Sequence, residues 1–435
     1  MTRPVKTRRP RSAWPRWPSW ALPWSLGLSL LLAGPSQAAG AHALGDWLPQ
    51  AAEVAPVLLA TPQVQAARAH EQAQLQRARG TEAGSAEWLL RMNQQQRRLR
   101  DPQERFAEST VALERPLRLW GKAAMDAQLA EREREVARIG YSDALHEASR
   151  QLLSQWFDTL RAQAEREGAE REGALARELA RQARVRLAHG DVSALDARLA
   201  EAELQRSEAS VHLAEAALSR QHAQLQRLYP GLPAPRLPSA RGADPVASTE
   251  DLASALHAFL AQHHELRLLR AQAQRQQQLA ERLERERWPD PSVGVYHARE
   301  RAGSEQLLGL TLAMPLSGRY RESQALAAQA EAQALQAQVQ QLERELTAGF
   351  EARWRQLALQ QQALAALRTA ADTQQQAAEK SLSAYTQGEH SMTELIQNRR
   401  LASEQRSAAQ RLQLDWLHTL ASIELDAHRL WDLDD

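Results

Sequence analysis

A mainly α chain with a small β part, built as two tandem copies of one unit, is the fold class that the sequence predicts, and three observations carry that expectation. The 435 residues are dominated by Ala, Gln, Arg, Glu and Leu, with only 5% aromatics, a composition of long helices rather than of an ordinary enzyme core. Helical periodicity then runs unbroken over two stretches of roughly 66 to 70 residues, each on the order of 100 Å long at about 1.5 Å per residue. Finally, landmarks recur at a steady offset: Pro116 and Pro315, Trp156 and Trp354, Gly190 and Gly388, Ser193 and Ser391, and Asp196 and Glu394 lie 198 or 199 positions apart. So regular an offset is the signature of an internal duplication.

Residues 1–38 read as a signal peptide: a basic start, an apolar run near Ala21 to Ala33, and a small-residue end at Ser36-Gln37-Ala38. The apolar run is shorter than the roughly 20 residues a spanning helix needs. No later segment is apolar enough to span a membrane as a helix, which leaves a barrel as the only way this chain could reside in one.

The first repeat covers residues 39–229. From Asp46 to Arg79 the pattern is helical, with a break at Thr61-Pro62. After Gly80 the period changes to two, giving a strand at about 85–93, an exposed polar loop from Gln94 to Arg105, and a weaker strand at about 106–117. A helical hairpin follows over about 122–229, turning at Gly190-Asp191. Residues 230–247, rich in Pro and Gly, form a linker.

The second repeat, 248–435, opens with a helix from Ser248 to Arg287, with Ser248-Thr249-Glu250-Asp251 as its cap and Trp288-Pro289-Asp290-Pro291 as its stop. Strands follow at about 292–299 and 306–316. The latter has the clearest alternation in the chain, Leu308, Leu310, Leu312, Met314 and Leu316 on one face and Gly309, Thr311 and Ala313 on the other. A strand apolar on one side and small or polar on the other suits a wall between lipid and lumen. The second hairpin occupies about 319–431 and turns at Gly388.

Charge and chemistry narrow the function. The formal charge of +1 hides six basic residues and no acid in residues 1–38, so the remainder holds 48 basic against 53 acidic side chains. Nucleic acid is excluded as a partner, because phosphate binding needs a clustered positive surface. Cysteine is absent, which removes both thiol chemistry and a lipid-accepting N-terminal cysteine. No nucleophile elbow, phosphate loop or metalloprotease motif is present, so no catalysis, cofactor or metal is expected. His263 and His264 are adjacent and point to different faces, while His189, His212, His222 and His418 are scattered; all are read as structural or surface histidines.

Four strands cannot close a membrane barrel, for which about eight is the minimum. Three copies would supply twelve strands and a matching tube of helices, so a homotrimer is expected from strand count and exposed edges.

The order of lead-in helix, strand pair, proline-glycine joint, long helix, capped turn and return helix, present twice, resembles the TolC-like outer-membrane efflux family. The resemblance covers about residues 44–433. It rests on Pro116-Leu117 with Gly121-Lys122, Pro315-Leu316 with Gly318-Arg319, the turns at Gly190 and Gly388, and Trp288-Pro289-Asp290-Pro291. The Asn-Pro-x-Leu of that family is replaced by Thr61-Pro62-Gln63-Val64 and His263-His264-Glu265-Leu266.

What the resemblance implies is a trimeric channel in outer-membrane lipid with a periplasmic helical tube, engaged by a periplasmic adaptor and an inner-membrane transporter. On that basis the turns Gly190, Asp191, Ser193, Asp196 and Gly388, Glu389, Ser391, Glu394 would border the closed end of the tube and meet the adaptor. The same residues also make a well-capped hairpin and need do nothing more. Pro116, Gly121, Pro315 and Gly318 form the barrel-to-helix joint. Trp88, Trp120 and Trp288 suit a membrane interface or, equally, packing at that joint. Two rival classes are a periplasmic adaptor, which has one hairpin flanked by soluble β domains, and a coiled-coil scaffold, whose heptads would not be broken by strand pairs. The absent lipidation cysteine leans the cargo towards heavy metals, again by resemblance.

Overall fold

Each half of the chain lays out the same series of elements, and the two halves meet edge to edge in a single sheet. The computed structural model describes residues 44–119, 121–238, 251–316 and 318–433. The signal peptide at 1–38, the linker beyond 238, Trp120 and Ser248 to Glu250 lie outside the described residues.

In the first half, α1 (Ala51–Leu59) and α2 (Pro62–Ala83) are separated at Thr61, whose hydroxyl accepts from Val64 N at 3.4 Å while Pro62 occupies the first helical position. Proline is pre-set for that place and its missing N–H costs nothing there. Strands β1 (Leu89–Arg98) and β2 (Arg105–Pro116) follow, then α3 (Lys122–Ala188) and α4 (Ala194–Leu228). In the second half come α5 (Leu252–Gln262), α6 (His264–Glu286), β3 (Ser292–Glu300), β4 (Glu305–Ala313), α7 (Arg319–Gln387) and α8 (Met392–Asp426). Helix α3 packs against α4, and α7 against α8, as two long hairpins; α2 lies along α3 and α6 along α7, and α3 also meets α6 and α8 of the other half.

Several boundaries differ from the sequence expectation: β1 starts at Leu89 rather than near 85, β4 ends at Ala313 so that Met314 and Leu316 lie past it, and two further differences have a plain physical reason. Gln94 to Arg105 is not one loop: β1 continues to Arg98 and β2 starts at Arg105, with Leu99 N donating to Glu104 O across the turn. Backbone pairing does not require apolar side chains, so the ladder continues where both faces turn polar and alternation disappears. The expected helix Ser248 to Arg287 is two helices, broken at His263 (φ −59°, ψ 115°). No proline announces that break, which is held by tertiary contacts of the buried His263 and His264.

The sheet is antiparallel in the order β1-β2-β3-β4, so β2 and β3 join the repeats in the middle and β1 and β4 are its edges. The principal core lies part-way along the helices, where Trp156, Phe157 and Leu160 of α3 pack with Phe259, Phe350, Trp416, Leu417 and Leu420. Both ends of the described chain are tied there: Trp156 Nε1 donates to Trp47 O at 2.8 Å and Trp431 Nε1 to Pro49 O at 2.9 Å. Trp354 is partly buried against the same core.

Candidate functional site

The sheet sorts its side chains by chemistry. Residues directly opposite one another in an antiparallel pair share a face, and the register places Leu310, Val295, Leu113 and Leu90 in one row across all four strands. The next row is Leu308, His297, Val111 and Met92, and Leu312, Val293 and Arg115 begin a third. Leu308 and Leu310 are each 83% exposed, and Leu316, just past β4, is 91% exposed. An apolar band so open to solvent lacks its covering in the lone chain. The reverse face holds Asn93, Thr110, Arg91, Ala112, Tyr296, Gly309, Glu114, Gly294 and Thr311. There Arg91 pairs with Glu114 at 3.3 Å, and the buried Glu108 accepts from Gln95 at 2.8 Å and Arg97 at 3.4 Å. A Cβ at Gly309 would collide with the Tyr296 ring, so glycine makes room for that aromatic.

Beneath the sheet, a network of ion pairs binds it to the helices. Lys122, first residue of α3, has no solvent exposure; its ammonium donates to Trp288 O at 2.6 Å and to Asp290 Oδ1 at 2.8 Å, and lies 3.5 Å from Glu286. Asp290 Oδ1 also accepts from Leu119 N at 3.1 Å. Arg282 joins Asp126 and Glu286, each at 2.5 Å, and Arg118 and Arg321 pair with Asp126 and Glu286. Burial works against the Glu286 carboxylate, but Arg282, Lys122 and Arg321 outweigh it and hold its pKa below the usual range. Gly121 enters α3 with φ 76°, whereas Gly318 enters α7 extended at φ −147°, so the two joints are not copies of one another. Pro116 ends β2, and Pro315 lies exposed between β4 and α7.

At the far end of the hairpins the two turns are built alike. Gly190 (φ 77°) and Gly388 (φ 81°) adopt the left-handed conformation. Around them Asp191 N donates to Arg186 O at 2.8 Å and Gly190 N to Leu187 O at 3.0 Å, matched by Glu389 N to Ala384 O at 2.9 Å and Gly388 N to Tyr385 O at 3.1 Å. These are Schellman closures, which satisfy the last helical carbonyls. Ser193 and Ser391 then cap α4 and α8, each in a capping box with Asp196 or Glu394. The bonds from Ser391 hold the Glu394 carboxyl below its ordinary pKa.

Both tips are brought together by a small core of Leu179, Leu204, Tyr385, Met392, Leu395 and Ile396. The Arg186 guanidinium stacks over Tyr385 at 5.2 Å, and Glu203 is shared by Arg206 and Arg400 at 3.1 Å. Gly190, Asp191, Gly388 and Glu389 stay exposed.

Trp88 and Trp288 are 62% and 67% exposed, and Arg115 lies 5.4 Å from the Trp88 ring. His263 and His264 are buried, 4% and 2% exposed, beside His146 and His428 rather than at the surface. His418 is stacked on Phe157 with ring centroids 5.0 Å apart. The sequence reading missed the Lys122 network, although Gly121-Lys122 and Asp290 were among the motifs it singled out; what it lacked was their pairing across 168 residues. Among the described residues no group of three His, Asp or Glu is placed to hold a metal ion, and no helix is long and apolar enough to cross a membrane.

No protein-family model and no curated protein sequence matches the chain. Solved structures do. The outer membrane protein VceC of Vibrio cholerae superposes with a TM-score of 0.70 at 16% identity, over 88% of this chain and 96% of that one. CusC, whose crystal structures concern folding and transmembrane channel formation, gives 0.69 at 14% identity over 87% and 92%. The CmeC outer membrane channel of Campylobacter jejuni gives 0.67 at 14% identity over 88% and 85%. With the strand order, the paired hairpins and the capped tips in place over nearly the full length of these proteins, the chain has the fold of the TolC-like outer-membrane channels.

Proposed function

We propose that this chain is an outer-membrane channel of the efflux type, a homotrimer that conducts solute passively out of the periplasm while an inner-membrane transporter, coupled through a periplasmic adaptor, supplies the energy. The observation that carries the proposal is the four-stranded sheet with a continuous apolar row on one face, a polar row on the other and two unpaired edges. Three such sheets joined β4 to β1 close a twelve-stranded barrel that presents leucine to lipid and the Arg91, Glu114 and Thr311 face to water. The exposed Trp88 and Trp288 then fall near the membrane interface, and the Lys122 network sits where barrel becomes tube.

The tips at Gly190 and Gly388 are the end of the tube that an adaptor would meet, with Asp191 and Glu389 giving the entrance a cation-tolerant rim. A heavy-metal cation is the cargo towards which the resemblance leans, because non-lipidated chains of this sort resemble the heavy-metal efflux branch. An adaptor or a coiled-coil scaffold has no use for a sheet that is apolar outside and charged inside. Extraction tests the reading: the mature protein is expected to need detergent and to run as a trimer, and a monomer or dimer soluble without detergent overturns it. Unchanged metal tolerance in a deletion strain counts against the metal cargo alone.

A further inference from the structure

The seam between α3 and α8, which joins the first hairpin to the second, carries two side-chain rungs of one design. In one, Arg150 of α3 donates through Nε to Asp426 Oδ1 of α8 at 2.9 Å and through a terminal nitrogen to His263 Nε2 at 3.1 Å. In the other, Arg161 of α3 donates through Nε to Asp415 Oδ1 of α8 at 2.9 Å, through one terminal nitrogen to Asp158 at 2.8 Å, and through the other to His418 Nδ1 at 3.1 Å. The arginines are eleven residues apart on α3, and the aspartates are eleven apart, in reverse order, on α8. Eleven residues make about three turns, so both rungs lie on one face of an antiparallel pair.

A guanidinium has only N–H groups to offer. The imidazole nitrogen facing it must therefore accept, which requires a neutral ring at both rungs. Placing a proton on that nitrogen removes the hydrogen bond and sets two cations about 3 Å apart in a partly buried site, where like charges repel more strongly than in water.

The other groups around each ring are these. His263 lies edge-on to Phe259, and near it are His146, whose Nε2 donates to Leu425 O at 3.2 Å, and His264. His428 lies tilted against His146 and edge-on to His264; Asp143 and Glu147 of α3 flank the cluster, and Arg353 of α7 donates to the second oxygen of Asp426 at 2.8 Å. His418 faces Phe157, Asp158, Asp415 and Arg161.

We propose that the two rungs form an acid-released latch between the hairpins: it is closed while His263 and His418 are neutral, and it opens when protons occupy the nitrogens to which Arg150 and Arg161 donate. Burial first, and Arg150 second, push His263 and His146 down to about 4 from the ordinary 6.5, while burial first, and Arg161 second, lower His418. Because the folded values lie below the unfolded one, the latch contributes fully above about pH 6.5 and loses its contribution as pH falls towards 4. The latch is a property of the seam and does not depend on the channel reading; if that reading holds, acid loosens the tube wall part-way along its length.

Hydrogen exchange on the intact protein in detergent tests this at two kinds of site. Exchange at the imidazole C2 positions reports each titration, and His263 and His418 are expected to titrate well below 6.5 in the wild type. Amide protection over residues 146–163 and 412–426 is expected to fall about tenfold or more between about pH 7 and about pH 4.5. The double variant His263→Gln and His418→Asn places a non-titrating amide oxygen where each ring nitrogen accepts, and its protection is expected to fall several-fold less than that of the wild type over the same range, the loss that remains coming from His146, which still titrates.

Ordinary midpoints for the two histidines, or an equal loss of protection in wild type and double variant, overturns the latch. Should the double variant not fold, Arg161→Gln decides: the His418 midpoint must rise once the facing charge is gone, and an unmoved midpoint overturns the proposal.

Discussion

Lys122 shows what a single residue carries. Its ammonium is fully buried against Asp290, Glu286 and the Trp288 carbonyl. A buried ion pair contributes little net stability when intact, yet removing one partner leaves the other uncompensated, at a cost of about 3 kcal/mol. Lys122→Met is therefore expected to lower the denaturation midpoint strongly, whereas Lys122→Met combined with Asp290→Leu recovers part of the loss; chemical denaturation in detergent measures both. The tip glycines make a different point. Nothing lies within 4 Å of a Cβ placed on Gly190 or Gly388, so Gly190→Ala or Gly388→Ala pays only for its left-handed backbone, about 1–2 kcal/mol. Ser193→Ala or Ser391→Ala costs about 1 kcal/mol through the lost cap. Amide exchange confined to the tips reads these local losses. Glycine and serine at such spacing are legible in sequence because the turn is local, but the partner of Lys122 lies 168 residues away and is not.

At the scale of elements, the sheet carries the strongest consequence. Leu310 stands on the apolar row with Val295, Leu113 and Leu90. If the proposed barrel forms, Leu310→Arg is expected to destabilise its membrane-inserted state by about 2–4 kcal/mol, while Thr311→Arg, one residue on and facing the polar side, leaves assembly intact. Trimer yield on semi-native gels distinguishes them. Alternation in β4 announced its two faces, because one of them is apolar throughout. The polar ends of β1 and β2 gave no such signal, since Gln94 to Arg98 are held by the backbone ladder and by polar contacts such as Gln95 and Arg97 with Glu108, neither of which leaves an apolar alternation. The break at His263 was silent for a related reason: its own segment holds no proline or glycine, and the contact seen there, Arg150 to His263, comes from another helix.

For the whole molecule, the two edges β1 and β4 must find partners outside the chain if the proposed barrel exists. The absence of cysteine makes the test clean: one cysteine introduced at the β1 edge and one at the β4 edge is expected to give cross-linked dimers and trimers and no higher species. A ladder extending past the trimer would contradict closure.

The duplication, the helix lengths, the tip turns and the two-faced strand were all settled by the sequence, because each follows from periodicity or from a glycine, serine or proline acting on its immediate neighbours. Tertiary structure alone decided which edge of one repeat meets the other, that β2 lies beside β3, that Lys122 finds Asp290, and that Arg150 and Arg161 of one hairpin reach histidines of the second half. Those pairings depend on the approach of segments more than a hundred residues apart, and such an approach is set by the packing of whole helices and leaves no local pattern for a sequence to display.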